Sequence, residues 1–116
     1  MSATERRKGA AYERQLAAYL RALGVPAERT SRGTHQDTGD LTNTLGLHLE
    51  AKNQARLDLA GWVDQAHRDA AGSGRTPVVV IKRRGVLSPA RHYAVLTLGD
   101  LLHLLGTTDP DKENQP

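Results

Sequence analysis

A chain of 116 residues is long enough for one hydrophobic core and too short for two. With no cysteine it excludes a disulfide framework and thiolate metal sites, and with no Phe and one Trp its core must be built from Leu, Val and Ala. The formal charge of +3 understates the body of the chain, because Asp109, Asp111 and Glu113 near the C-terminus face only Lys112; the rest carries 15 basic against 10 acidic residues, an excess that predisposes it to polyanions. No apolar run is long enough to span a bilayer, and the N-terminal Glu5, Arg6, Arg7 and Lys8 do not read as a signal. A soluble, cytoplasmic protein without a membrane partner is therefore expected.

The first predicted element is a helix from about Thr4 to Leu23. Ser2 and Glu5 have capping-box spacing, Leu16, Tyr19, Leu20 and Leu23 recur at helical intervals with Tyr12 on or near that stripe, and Gly24 and Pro26 end it. Val25 to Arg29 reads as a first strand, followed by a Gly- and Thr-rich loop from Thr30 to Thr38. Gly39-Asp40-Leu41 starts a short strand that returns through the turn residues Asn43 to Gly46 into a strand ending at Lys52, a hairpin that would set Asp40 beside Glu50. A second helix is expected from about Asp58 to Ala71, with Leu59, Trp62, Val63 and Ala66 inward and Gly72-Ser73-Gly74 closing it. Thr76 to Lys82 is the most apolar run and predicts a buried central strand. His92 to Leu98 alternates as another strand, and Gly99 to Leu105 forms a short closing helix. The polar residues Thr107 to Pro116 read as a disordered tail. The order implies an α/β fold, a central mixed β-sheet flanked by helices, in a single domain over residues 1–106.

The chemistry concentrates near Glu50-Ala51-Lys52. From Leu45 to Lys52 the alternation places Leu45, Leu47, Leu49 and Ala51 on one side of a strand and His48, Glu50 and Lys52 on the other, so that one face packs and the other is available for catalysis. Asp40 and Glu50, held side by side, repel and lose hydration, and a rigid fold rarely keeps such a pair without a compensating cation. Magnesium is the natural choice, since it takes oxygen ligands from one or two carboxylates and keeps positions for water and phosphate; Mn2+ is expected to substitute. The Ala51 carbonyl offers a third oxygen, and Lys52 is placed to position or deprotonate a water. These residues together predict a metal-dependent nuclease. An acidic-x-Lys triplet arises by chance about once in a chain of this size, so the reading rests on its conjunction with the strand, with Asp40 and with Glu13 on the first helix.

The same residues carry a resemblance. Arg7-Lys8-Gly9-Ala10-Ala11-Tyr12-Glu13-Arg14-Gln15-Leu16 is similar to the basic-Gly-x-x-x-Glu-Arg-x-Leu opening of the archaeal-type Holliday junction resolvases. Arg29-Thr30-Ser31-Arg32-Gly33 resembles their Arg and Ser-Gly loop, Gly39-Asp40 takes the place of Pro-Asp, Glu50-Ala51-Lys52 that of Glu-x-Lys, and Gln65 matches a Gln often found on the following helix. The chain thus resembles the PD-(D/E)XK nuclease superfamily from about Arg7 to Lys82. The resemblance implies a restriction-endonuclease-like core, magnesium held by Asp40 and Glu50 with Glu13 reaching the metal, Lys52 supporting the water, Gln65 supporting the site, and a four-way DNA junction as substrate. Ser31 belongs to the implied DNA-binding loop. Two departures are Arg32 where Gly is usual and Gly39 for Pro; the latter is expected to matter little because the Pro carries no chemistry. The short connection between Asp40 and Glu50 is like that of a minimal, phage-sized version.

Arg6, Arg7, Lys8 and Arg14 are candidate phosphate contacts or equally a solvated helix face, and Arg29, Arg32 and His35 lie on the loop leading to Asp40, where phosphate contact and a plain surface loop are both open. The five histidines have no zinc-like spacing; His48 shares the Glu50 face but is not counted as a ligand. Junction resolution needs two symmetric cuts, so a single small site implies a homodimer, with the Trp62 helix and the segment carrying Leu101, Leu102, Leu104 and Leu105 as candidate surfaces that core packing explains equally well. The rival readings are another PD-(D/E)XK nuclease, of restriction, repair or exonuclease type, and a non-catalytic DNA-binding module on the same scaffold.

Overall fold

In the computed structural model the described residues are 2–30 and 39–107. The chain begins with helix α1 (Ala3–Ala22), whose cap is the expected one: Ser2 Oγ accepts from the Glu5 amide at 3.1 Å. Two short strands follow, β1 (Glu28–Arg29) and β2 (Leu41–Thr42), then β3 (Leu47–Lys52), α2 (Leu59–Ala70), β4 (Thr76–Ile81), a 3-10 turn (Pro89–Arg91), β5 (Tyr93–Val95) and α3 (Leu98–Leu104). Asp58 caps α2 through the Gly61 amide and Thr97 caps α3 through the Asp100 amide. Residues 108–116 of the expected tail, and Ser31, Arg32 and His35 of the expected DNA-binding loop, lie outside the described residues. Among the described residues no helix is long and apolar enough to cross a membrane.

The result is an α/β domain with a mixed sheet. β4 is central, parallel to β3 from Leu47↔Thr76 to Lys52↔Ile81 and antiparallel to β5. Its Val79 and Ile81 join Ala66 of α2 in one cluster, with Trp62, Val63 and Val95 packed alongside. Tyr12, Leu16 and Ala17 of α1 meet Leu41 and Leu49 in another, with Leu20, Leu47, Ala51 and Val80 alongside. The sheet is covered on both faces, as a parallel pair joined by a helical crossover requires. Tyr12 also ties α1 to the far end of the sheet: its buried hydroxyl, kept neutral because burial pushes the phenol up, lies 2.8 Å from His92 Nδ1. The other ring nitrogen faces the Val86 carbonyl at 2.7 Å and donates to it, an arrangement in which the Nδ1 of a neutral ring accepts from Tyr12.

Several expectations change. β5 is only three residues long, and Leu23 and Leu45 are exposed rather than packed, Leu45 because it sits in the turn before β3 with φ +59°. The predicted hairpin does not form: β2 pairs antiparallel with β1, while the link to β3 is a single parallel bridge, Gly39↔Leu49. The Asp40 amide donates to the Leu49 carbonyl at 2.7 Å in that bridge. Finally, Gly39 is not a neutral replacement. Its φ is +78°, which Pro cannot adopt, and a β-carbon there would lie 2.8 Å from the Leu49 amide nitrogen and carbonyl carbon. Gly39→Ala is expected to cost about 2 to 4 kcal/mol from strain and overlap, read as a fall in the urea midpoint; an unchanged midpoint would contradict this account.

Candidate metal centre

Asp40 reaches β3 as soon as Gly39 has made its close approach. Its Oδ2 accepts from the Ala51 amide at 2.8 Å, and its carboxyl hydrogen-bonds Glu50. The strand alternation explains both contacts. Leu49 O and Ala51 N bond toward Asp40, whereas Lys52 O bonds the Lys82 amide on the β4 side, so the Ala51 carbonyl faces the Asp40 edge. Asp40, Glu50 and Ala51 are therefore adjacent, through a parallel bridge rather than the predicted hairpin.

The opposite face of β3 is not an open surface. His48, Glu50 and Lys52 look toward α2, and His48 is wholly buried. His48 Nε2 lies 2.9 Å from Glu50 Oε1, and the Lys52 ammonium sits 5.7 Å from the centroid of the Trp62 ring. Trp62 in turn lines an open cleft of about 490 Å3 with Gln54, Arg56, Leu57 and Asp58. Asp69, one helical turn beyond Gln65, completes the surroundings: ligand atoms of His48, Glu50 and Asp69 all lie within 4.8 Å of one another, a group that could hold a metal ion.

Burial is the main force on Glu50, followed by the Asp40 carboxylate and its hydrogen bond. Together with a further contribution from Asp69, and against the opposing pull of Lys52, they push the Glu50 carboxyl from its ordinary 4.5 up to about 8. Without a cation it carries a proton at neutral pH.

The remaining predicted site residues are placed differently. Glu13, half-buried, accepts from Arg29 Nε at 3.0 Å and is not one of the three grouped donors; it stands near the site through Arg29, whose neighbour Thr30 donates its amide to the Asp40 carbonyl at 3.0 Å. Arg29 is thus engaged with an acid rather than presented to solvent alone. Arg7 and Arg14 are exposed on α1 and Lys8 is half-buried there, with Arg7 Nε bonded to the Ala3 carbonyl at 3.4 Å. Gln65 meets the grouped residues only through Asp69: its Nε2 donates to Asp69 Oδ1 at 2.8 Å while its Oε1 accepts from Arg68 at 2.9 Å. Two functional candidates went unassigned from sequence. His48 shared the Glu50 face, and Asp69 follows Gln65 at the i,i+4 interval that places both on one side of a helix.

Comparison with protein-family models, curated proteins and solved structures finds no match to this chain. The site therefore has to be read from its own geometry.

The raised Glu50 carboxyl gives a signed expectation. Between about 4.5 and about 8 the folded chain holds a proton that the unfolded chain has released, so stability falls as pH rises through that window and levels above it. In chelator, the urea midpoint should decline from pH 5 to pH 8, with a contribution from this group of at most about 1.4 kcal/mol per pH unit. Glu50→Gln should flatten that part of the profile; parallel profiles for the two proteins would exclude Glu50 as its origin.

Proposed function

We propose that this chain is a magnesium-dependent endodeoxyribonuclease of the PD-(D/E)XK type, with a restriction-endonuclease-like core, cleaving four-way DNA junctions. The observation that supports it most is the convergence of Asp40, Glu50 and Lys52 about the Ala51 peptide. A protonated, half-buried carboxyl beside a second carboxylate is what an acidic cation site becomes when a proton stands in for the ion. The oxygen donors fit the hard-ion class: two carboxylates and a carbonyl from adjoining backbone, with Asp40 already oriented by an amide.

Within this reading the chain's own groups have distinct tasks. Asp40 and Glu50 would hold the ion together with the Ala51 carbonyl. Magnesium bound there would lower the pKa of water and offset the charge that grows on the phosphate. Lys52, steadied over Trp62, positions the attacking water and neutralises charge on the phosphodiester beside it. Arg56 in the adjoining cleft and the α1 bases Arg7, Lys8 and Arg14 supply phosphate contacts that orient the backbone without reading sequence. Glu13 acts by holding Arg29. Two symmetric cuts call for two copies, and of the two candidate surfaces Trp62 and Val63 are half-buried against the sheet, whereas Leu98, Leu101, Leu102, Leu104 and Leu105 around α3 are exposed. Pairing of copies is assigned to that α3 face.

The test compares matched four-way junction, linear duplex and single-stranded substrates in magnesium. Paired symmetric nicks are expected in the junction alone, and Asp40→Ala should lower the cleavage rate by about 10²-fold or more while junction binding persists in a mobility-shift assay. Cleavage of duplex ends instead would mark a different nuclease, and junction binding without magnesium-dependent cleavage by the unmodified chain would mark a DNA-binding module.

A further inference from the structure

Glu50 is approached from two directions: by Asp40 from the edge of the sheet, and by His48 and Asp69 from the side covered by α2. Asp40 and the Ala51 carbonyl offer oxygen alone. The other side offers a nitrogen. His48 has no solvent exposure, and its Nε2 is aimed at Glu50 Oε1 at 2.9 Å. Asp69 accepts from Gln65, whose own amide oxygen is held by Arg68, the kind of outer support that orients metal ligands.

A neutral His48–Glu50 hydrogen bond of purely structural use is the simpler alternative, but it would call for no further acid. Asp69 nevertheless lies within reach of both, from a different element, and its charge disfavours the ionised form of Glu50. Metal–nitrogen and metal–oxygen distances of about 2.0–2.2 Å mean that donors on one ion are separated by at most about 4.4 Å. A group already within 4.8 Å is close to that span.

We propose that His48, Glu50 and Asp69 form a second cation position beside the Asp40, Glu50 and Ala51 position, and that its imidazole nitrogen favours a borderline first-row divalent ion over Mg2+. The inference rests on the metal-centre reading above and extends it, with Glu50 shared between an oxygen-only position and a mixed nitrogen and oxygen one. Imidazole suits first-row ions such as Zn2+, Fe2+ and Ni2+, whereas Mg2+ prefers oxygen and gives up its water reluctantly; Mn2+, harder than these, still takes a nitrogen more readily than Mg2+ and serves as the paramagnetic probe. Gln65 is here a positioning residue, acting through Asp69.

The full chain, free of DNA, is titrated with Mn2+ and separately with Mg2+, and the bound Mn2+ is examined by electron spin-echo envelope modulation. The unmodified protein should show a directly coordinated imidazole nitrogen. His48→Gln should abolish that signal and weaken Mn2+ binding by about tenfold or more, with Mg2+ binding retained; Asp69→Asn should weaken Mn2+ while keeping the nitrogen signal. No Mn2+ binding, bound Mn2+ without nitrogen coupling, or an unchanged preference between the two ions in His48→Gln would overturn the proposal. The unmodified protein's spectrum decides the matter if either variant fails to fold. Junction cleavage in magnesium without nitrogen coupling would remove this inference and leave the nuclease reading intact, whereas nitrogen coupling in a protein that cuts no DNA would do the reverse.

Discussion

The site depends on a two-point clamp between residue 40 and β3: the Asp40 amide on the Leu49 carbonyl at 2.7 Å, and the Asp40 carboxylate on the Ala51 amide at 2.8 Å. β2 forms no ladder with β3, so these bonds and the Gly39 bridge define where the acid sits. A carboxylate anchored by a backbone amide has its direction fixed by the strand rather than by its own rotamer preferences. That is the precision a metal or phosphate site requires, and here it costs one residue with a left-handed backbone and no side chain.

The sequence carried most of the architecture because its signals were local. Ser2, Asp58 and Thr97 cap three helices as side chains of their type do, Gly24 and Pro26 stop the first, and the run from Val78 to Ile81 lies at the centre of the sheet. What could not be read is what depends on approach between separate elements. Alternation along β3 separates its two faces correctly but does not say that α2 covers the second one, so the face expected to stay open holds the wholly buried His48. The Asn43 to Gly46 turn looks like a hairpin turn, and the pairing of β2 with β1 instead is a tertiary choice. Asp69 is ordinary on a helix surface until the crossover from β3 to β4 brings α2 against the imidazole and carboxylate of β3. Gly39 shows the same limit from the other side: its lack of chemistry suggested that it was dispensable, and only the distance to Leu49 reveals why a β-carbon does not fit.

Packing and chemistry are in tension on this strand. Leu47, Leu49 and Ala51 hold it against α1, and the residues between them carry two acids' worth of unfavourable neighbours into the layer beneath α2. A medium of low polarity makes each like-charge pair more costly and each compensating charge more effective. Lys52 opposes the rise of the Glu50 carboxyl but does not cancel it.

The imbalance has a direction. Around Glu50 the donors are Asp40, Asp69 and His48, and the single ammonium nearby is held over Trp62, so the described groups place more negative charge than positive about one carboxyl. A proton corrects this by one unit and only below about pH 8. A divalent ion corrects it by two and needs the ionised form, so binding it stabilises the fold most at the pH where the empty arrangement is least stable. The same burial that raises the carboxyl would therefore couple cation binding to folding, and it ties the clamp at Gly39 and the cover provided by α2 to one carboxyl.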